Sequence, residues 1–233
     1  MHVFISNREI EQIANGLVDV SCGQRLPRRI DIDAIARFLG LTVLYERIVE
    51  DDQDKIGFLS NGDYPLTVLR NGERVGVFFP KDTIVLEEFL QRPGEDTRRR
   101  FVLAHEISHF LLNRADPMQS AACFNREYDD QRNYNIQELR KRMNLAECQA
   151  NSMAAHILMP RPMLTAAIQR YFQADRIPIY GDCVFLPSMK PAIQSIAVEL
   201  GVSYTALLIQ LKKYNLLDQR DMQEYFQRLG GLS

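Results

Sequence analysis

The spacing of apolar residues in the N-terminal part of the chain predicts two helices followed by a small sheet. The first helix follows a capping-box sequence, Ser6 to Glu9, and the second begins near Asp31. Asn71-Gly72 is a strong signal for a two-residue hairpin turn. Alternation of apolar and polar residues, together with apolar residues of high β-propensity, predicts four short strands around this turn: 41–45, 66–69, 75–79 and 83–86. We expect these strands to form a mostly antiparallel sheet.

The periodicity becomes helical from Glu95 onward. Apolar residues and two histidines share one face of a helix that ends at Asp116-Pro117. Another long helix is predicted from about residue 136 to residue 158. Polar residues at 115–135, and prolines with a glycine at 174–190, predict two long loops of the kind that often carry function.

The C-terminal part is predicted to be helical. Pro162 suits the first turn of a helix that runs to about Phe172, and a turn at 201–203 separates two later helices. We therefore expect a mixed α+β domain at 1–175 followed by a helical, helix-turn-helix-like subdomain at 176–233, either as two units or packed into one.

The composition of the chain argues against a nucleic-acid-binding protein and against a membrane protein. The chain has 28 Lys and Arg residues and 30 Asp and Glu residues, so its net charge is -2. It therefore lacks the strong positive field of a dedicated nucleic-acid-binding protein. No apolar run approaches the roughly 18 residues that a membrane span needs, and the N-terminus does not match a signal peptide. The four cysteines form no CxxC motif and are typical of reduced thiols. We expect a cytoplasmic protein without a membrane partner.

The segment with the clearest chemistry is His105-Glu106-Ile107-Ser108-His109. On a helix, residues four apart lie about 40° apart around the axis and about 6 Å along it. His105 and His109 can therefore bind one Zn²⁺. Glu106 lies about 100° from His105, where it can act on a water at the metal without binding the metal itself. The pattern predicts a zinc peptidase with Glu106 as its catalytic carboxylate.

A catalytic zinc site needs a third protein ligand. Leu112 and Ala115 occupy the positions at which one class of zinc proteases has glycine and histidine, so that class is excluded. A carboxylate on a second helix is the other solution. Glu147 is the strongest candidate, because small residues such as Ala150 and Ala154 continue its helix face and allow close approach. The weaker candidates are Asp116, Glu138 and His156.

Two motifs resemble those of the ImmA/IrrE family of metallo-endopeptidases. Residues 100–109 read Arg-Phe-Val-Leu-Ala-His-Glu-Ile-Ser-His, and residues 147–160 are similar to E-x-x-A-N-x-F-A-x-x-L-L-M-P, with Met153 at the aromatic position. The resemblance extends over residues 30–215. It implies a zincin-like core of a small antiparallel or mixed sheet with active-site helices. It also implies three zinc ligands and a catalytic carboxylate: His105, His109 and Glu147, with Glu106.

The same resemblance implies a biological role. A member of this family is expected to be a cytoplasmic protein of a bacterium or mobile element. Its protein substrate would be a helix-turn-helix repressor, cleaved to relieve repression in a stress response or in the regulation of a mobile element. From its residue type and position, we further expect Asn151 to orient Glu147 or a histidine.

A competing interpretation comes from residues 197–211, which resemble a helix-turn-helix. The chain would then be a helix-turn-helix regulator, or a protein-interaction module, with a non-catalytic metal site. Its second helix has no Arg or Lys before Lys212, whereas DNA affinity depends on clustered positive charge. We therefore expect no direct DNA binding. The basic run Arg98-Arg99-Arg100 is expected to be a solvated helix face.

Overall fold

The computed structural model describes residues 5–23, 27–49, 55–115 and 145–230. The helices in these ranges are α1 (Asn7–Cys22), α2 (Ile32–Phe38), α3 (Asp96–Ala115), α4 (Leu145–Leu158), α5 (Arg161–Phe172), α6 (Lys190–Leu200), α7 (Tyr204–Lys213) and α8 (Met222–Gly230). The strands are β1 (Thr42–Glu46), β2 (Gly57–Ser60), β3 (Leu66–Arg70), β4 (Glu73–Val77), β5 (Thr83–Glu87), β6 (Ile177–Tyr180) and β7 (Leu217–Arg220). The predicted α+β class is confirmed.

The main sheet has the strand order β1-β5-β2 and is mixed. β1 runs parallel to β5, with Leu44 opposite Val85, whereas β2 runs antiparallel to β5. β3 and β4 form the predicted hairpin, and both Asn71 and Gly72 have the positive φ that its tight turn requires. The expectation of a mostly antiparallel sheet is correct for the hairpin and wrong for β1 and β5. Parallel neighbours need a crossover connection rather than a hairpin, and β2, β3 and β4 all lie between β1 and β5 in the sequence.

Three strands were not predicted. β2 was not predicted because all four of its residues are buried, so its sequence shows no alternation of polar and apolar positions. β6 lies inside the segment 174–190 that was predicted as a loop, and it pairs in parallel with β7 in a tail that was predicted as helical. The predicted loop at 115–135 falls almost wholly outside the described residues, and the predicted helix at 136–158 is described only from Leu145.

Helix α3 is buried on several sides. Val102, Leu103, Ile107 and Phe110 all contribute to the main hydrophobic core, and α3 packs against both β2 and α4. Ala150, one residue before Asn151 on α4, is fully buried. A side chain this small lets two helices approach closely. The pairing of α3 with α4 therefore sets the distance between the histidine motif and the segment that begins at Glu147.

The basic run on α3 is not a solvated face, so that expectation is wrong. Arg99 donates two hydrogen bonds to Asp33 on α2, at 2.9 and 2.8 Å. Arg100 is 4% exposed and donates to the carbonyl oxygens of Gly201 and Leu200, at 3.2 and 3.4 Å. Burial lowers the pKa of Arg100 to about 10. Consecutive helix positions lie about 100° apart, so neighbouring arginines point to different partners.

His156 links α4 to α7 on the side of α4 that faces away from Glu147. Its Nδ1 lies 2.6 Å from the Tyr214 hydroxyl oxygen and 3.2 Å from Nε2 of Gln210. The side chain is 2% exposed, and burial is the main cause that lowers its pKa to about 4, with Lys213 and Arg161 adding to the effect. His156 is therefore a structural histidine of the helix interface.

This burial predicts a pH-dependent loss of stability. In the unfolded chain His156 is protonated near pH 6.5, but in the folded protein only near pH 4. Stability that is fully present above pH 6.5 should therefore fall as the pH drops to 4, by roughly 2–3 kcal/mol from this residue. The His156→Gln variant should lose less stability over the same pH range. Urea unfolding of both metal-free proteins at pH 7 and pH 4.5 measures the difference, and identical losses would contradict the assignment.

No single helix in the described ranges is long and apolar enough to cross a membrane. Residues 187–200 and 204–213 meet that test of length and composition only as a pair, and the pair is bent by 96° at the break between them.

Candidate metal centre

Helices α3 and α4 bring three side chains with ligand atoms to one point. Nε2 of His105 and Nε2 of His109 are 2.9 Å apart. They lie 3.2 and 3.4 Å from Oε2 and Oε1 of Glu147, respectively. Ligands at about 2.05 Å from a tetrahedral zinc ion are separated by about 3.3 Å. The observed distances therefore fit ligand atoms around one small divalent ion.

Asn151 contacts the first of these rings. It lies one helical turn after Glu147 on α4, and its Oδ1 is 2.8 Å from Nδ1 of His105. An amide oxygen can only accept, so Nδ1 of His105 carries the proton in this contact. When the ring is neutral, Nε2 has its lone pair free to face His109 and Glu147, and this is the form of imidazole that binds metals.

The charges at this point favour a cation. Burial raises the pKa of Glu147, but hydrogen bonds from His105 and His109 outweigh burial and bring the pKa down to about 2. Burial lowers the pKa of His109. At His105 burial acts in the same direction, but Glu147 and Glu106 overcome it and raise the pKa. A carboxylate thus stays ionised between two almost fully buried imidazoles, and this donor set suits Zn²⁺.

Glu106 is fully buried beside these groups, on the side of α3 that faces β2. Within the described ranges, neither of its carboxylate oxygens has a hydrogen-bond partner of good geometry. Burial raises the pKa of Glu106 to about 8, and the charges of His105 and Lys55 only partly oppose that rise. The nearby backbone of Leu59 opposes it more weakly still. A buried carboxylate so poorly bonded is costly for the fold, and such groups are concentrated at functional sites.

Comparison with known proteins places these helices in a family. The family model of the IrrE N-terminal-like domain, Peptidase M78, matches residues 89–212, just over half of the chain. The chain belongs to this peptidase family. The matched range includes α3 and α4 and therefore the whole cluster of His105, His109 and Glu147. The suspected ImmA/IrrE relationship is thus confirmed.

Two similar proteins illustrate the extent of the match. The radiation response metalloprotease IrrE of Deinococcus radiodurans is 33% identical to this member of the family over 105 residues. That alignment covers 45% of this chain and 28% of IrrE, so the chain spans little more than a quarter of that relative. A solved Mycobacterium tuberculosis transcriptional regulator aligns over 88% of this chain and 46% of its own, with a TM-score of 0.46 and 14% identity.

One of the other residues considered from the sequence is described by the structure and is not in the cluster. His156 faces α7, as described above. Asp116 and Glu138, which the sequence offered as weaker candidates for the third ligand, lie outside the described residues. Sequence analysis missed Lys55, which is 4% exposed and whose charge acts on Glu106. It also missed Gly57, because an isolated glycine indicates close backbone approach only once the strand around it is recognised.

Proposed function

We propose that the chain is a zinc-dependent endopeptidase with His105, His109 and Glu147 as its metal ligands. The convergence of their ligand atoms, all within 4.8 Å of one another, carries this proposal. Two imidazoles and one carboxylate are a donor set of catalytic zinc sites, in which a fourth position stays open for water or substrate. Membership of a peptidase family supports the same reaction class.

Each residue has a distinct role in this mechanism. When bound, zinc supplies a Lewis acid that polarises the scissile carbonyl and lowers the pKa of water. Glu106 accepts a proton from the attacking water and passes it to the nitrogen of the leaving amine. Without a bound ion, burial raises the pKa of Glu106 to about 8, and the positive charge of zinc would lower it, which favours the ionised form that accepts a proton. Asn151 holds the ring of His105 in the tautomer that binds metal.

The Asn151 contact predicts a measurable loss of zinc affinity. Asn151→Ala removes the acceptor at Nδ1 of His105, so the ring can rotate or change tautomer. We expect zinc to bind about 10–100-fold more weakly, as measured by competition with a chelator. Asn151→Asp keeps an acceptor and should restore most of the affinity. Ser152→Ala, at the neighbouring position where the hydroxyl contacts Lys213, is the control. Equal zinc affinity in all four proteins would contradict the role of Asn151.

We further propose that the substrate is a helix-turn-helix repressor, cleaved in the cytoplasm to relieve repression. The resemblance to the ImmA/IrrE family supports this substrate. The name of the D. radiodurans relative, a radiation response metalloprotease, supports a role in stress response; regulation of a mobile element is the other role that the resemblance implies.

The direct test is incubation of zinc-loaded protein with the repressor encoded nearest to its gene, followed by mass spectrometry. We expect one discrete cut that is absent with Glu106→Gln. An intact repressor, or the same fragments with both proteins, would contradict this substrate.

A second candidate function, a helix-turn-helix regulator with a non-catalytic metal site, draws support from α6 and α7. The segments 187–200 and 204–213 meet at 96° through a left-handed turn at Gly201, an arrangement found in helix-turn-helix units. Leu207 and Leu211 of α7 are buried, and its basic residues are confined to its last turn. Absence of peptide cleavage together with duplex binding that weakens steeply with salt would favour this second function.

A further inference from the structure

Gly57, the first residue of β2, lies directly against the carboxylate of Glu106. A Cβ atom added at Gly57 would lie 2.5 Å from Oε1 and 3.1 Å from Cδ of Glu106, and 2.8 Å from Cγ1 of Val102. Ordinary van der Waals contacts begin at 3.4 Å. The missing side chain of Gly57 is therefore the space that the Glu106 carboxylate occupies.

Backbone conformation does not explain the glycine. Gly57 is not among the glycines with positive φ, so its conformation is open to other residues. Its strand is fixed on the other side, because Gly57 pairs with Leu86 and the Ile56 carbonyl accepts a hydrogen bond from the backbone N–H of Glu87, at 2.9 Å. β2 cannot retreat from α3 without breaking this ladder. Only the absence of a Cβ leaves room for the carboxylate.

We propose that Gly57 is a positioning residue for Glu106. Its bare backbone forms the recess that holds the carboxylate at its place beside His105. The proposal rests on the proposed function, since it assigns Gly57 to the proton-transfer step. With alanine at position 57, Oε1 of Glu106 would have to move by about 1 Å to reach ordinary contact distance. A displacement of that size at a catalytic group can lower a rate by about 100-fold.

The first test is a kinetic comparison of full-length, zinc-loaded proteins, with a quenched peptide that spans the bond identified in the repressor. For Gly57→Ala we expect kcat to fall about 100-fold, with zinc content unchanged and KM within about threefold of wild type. Gly76→Ala is the matched control, because this strand glycine would place its Cβ at an ordinary 3.5 Å from Pro65. A kcat within about twofold of wild type for Gly57→Ala would overturn the proposal.

Val102 offers a different explanation, and a second background separates the two. In Val102→Ala the overlap with Cγ1 is absent, while the overlap with Glu106 remains. We expect Gly57→Ala to lower kcat about 100-fold in this background as well. Recovery of kcat to the level of Val102→Ala alone would assign the effect to general packing and overturn the positioning role.

A stability cycle tests the contact without any activity. Thermal unfolding is measured for four metal-free proteins: wild type, Gly57→Ala, Glu106→Ala and the double variant. Gly57→Ala should lower Tm by about 3–8 °C when Glu106 is present and by less in the Glu106→Ala background, where only the overlap with Val102 remains. An equal loss in both backgrounds would overturn the contact. If wild type cleaves no peptide, the proposed function fails, and this cycle still decides whether Gly57 holds Glu106.

Discussion

Replacement of Glu106 by glutamine should abolish peptide hydrolysis and leave the metal in place. The amide has the size of the carboxylate but cannot accept a proton from water at neutral pH, so we expect kcat to fall at least about 1,000-fold. Zinc content should remain close to one per chain, because the proposed ligands are His105, His109 and Glu147. Metal analysis and peptide cleavage of the same preparation measure both quantities. Substantial remaining activity, or loss of zinc, would contradict the role of Glu106.

The same substitution should stabilise the metal-free protein. Burial raises the pKa of Glu106 from 4.5 to about 8. Below pH 4.5 the residue is protonated in both the folded and the unfolded state, so only there is its stability contribution fully present. As the pH rises towards 8, the wild type should lose about 4 kcal/mol that Glu106→Gln retains. Denaturant unfolding at pH 5 and pH 8 measures this difference. Glu106 would then be a residue kept for activity at a cost in stability.

The second large effect is expected at Glu147. Glu147→Ala removes the carboxylate that lies 3.2 Å from Nε2 of His105 and 3.4 Å from Nε2 of His109. Two imidazoles alone do not complete a zinc site, so we expect zinc affinity to fall by more than about 100-fold, beyond the loss typical of residues that only support a ligand. Peptide cleavage should be lost at ordinary zinc concentrations.

Glu138 provides a matched control for Glu147→Ala. Glu138→Ala removes another glutamate that the sequence left as a possible ligand. We expect this variant to keep both its zinc and its activity. If zinc is retained in Glu147→Ala and lost in Glu138→Ala, Glu147 of α4 is not the third ligand.

The histidine pair could be predicted because its geometry is local. Residues four apart on one helix must share a face, and the apolar residues around His105 and His109 define that helix without any knowledge of the rest of the chain. The choice of Glu147 needed more, because the contact between α3 and α4 is a tertiary one. Small residues on α4 suggested close approach, and the family resemblance pointed to the same glutamate.

The parts that the sequence did not reveal depend on partners far along the chain. Arg100 looked like a surface charge, but its hydrogen-bond acceptors lie about 100 residues later, at Leu200 and Gly201. β2 lacks alternation because both of its faces are covered. Gly57 gains a meaning only when β2 is known to lie against Glu106. A buried partner from another element decides the role of each residue.

The most direct test of the account is a crystal structure of the zinc-loaded protein with anomalous data on both sides of the zinc absorption edge. We predict one zinc peak per chain, about 2.0–2.2 Å from Nε2 of His105, Nε2 of His109 and a carboxylate oxygen of Glu147, with Glu106 not bonded to it. A peak held by other side chains, or zinc-loaded crystals in which these three residues bond only to one another, would contradict it.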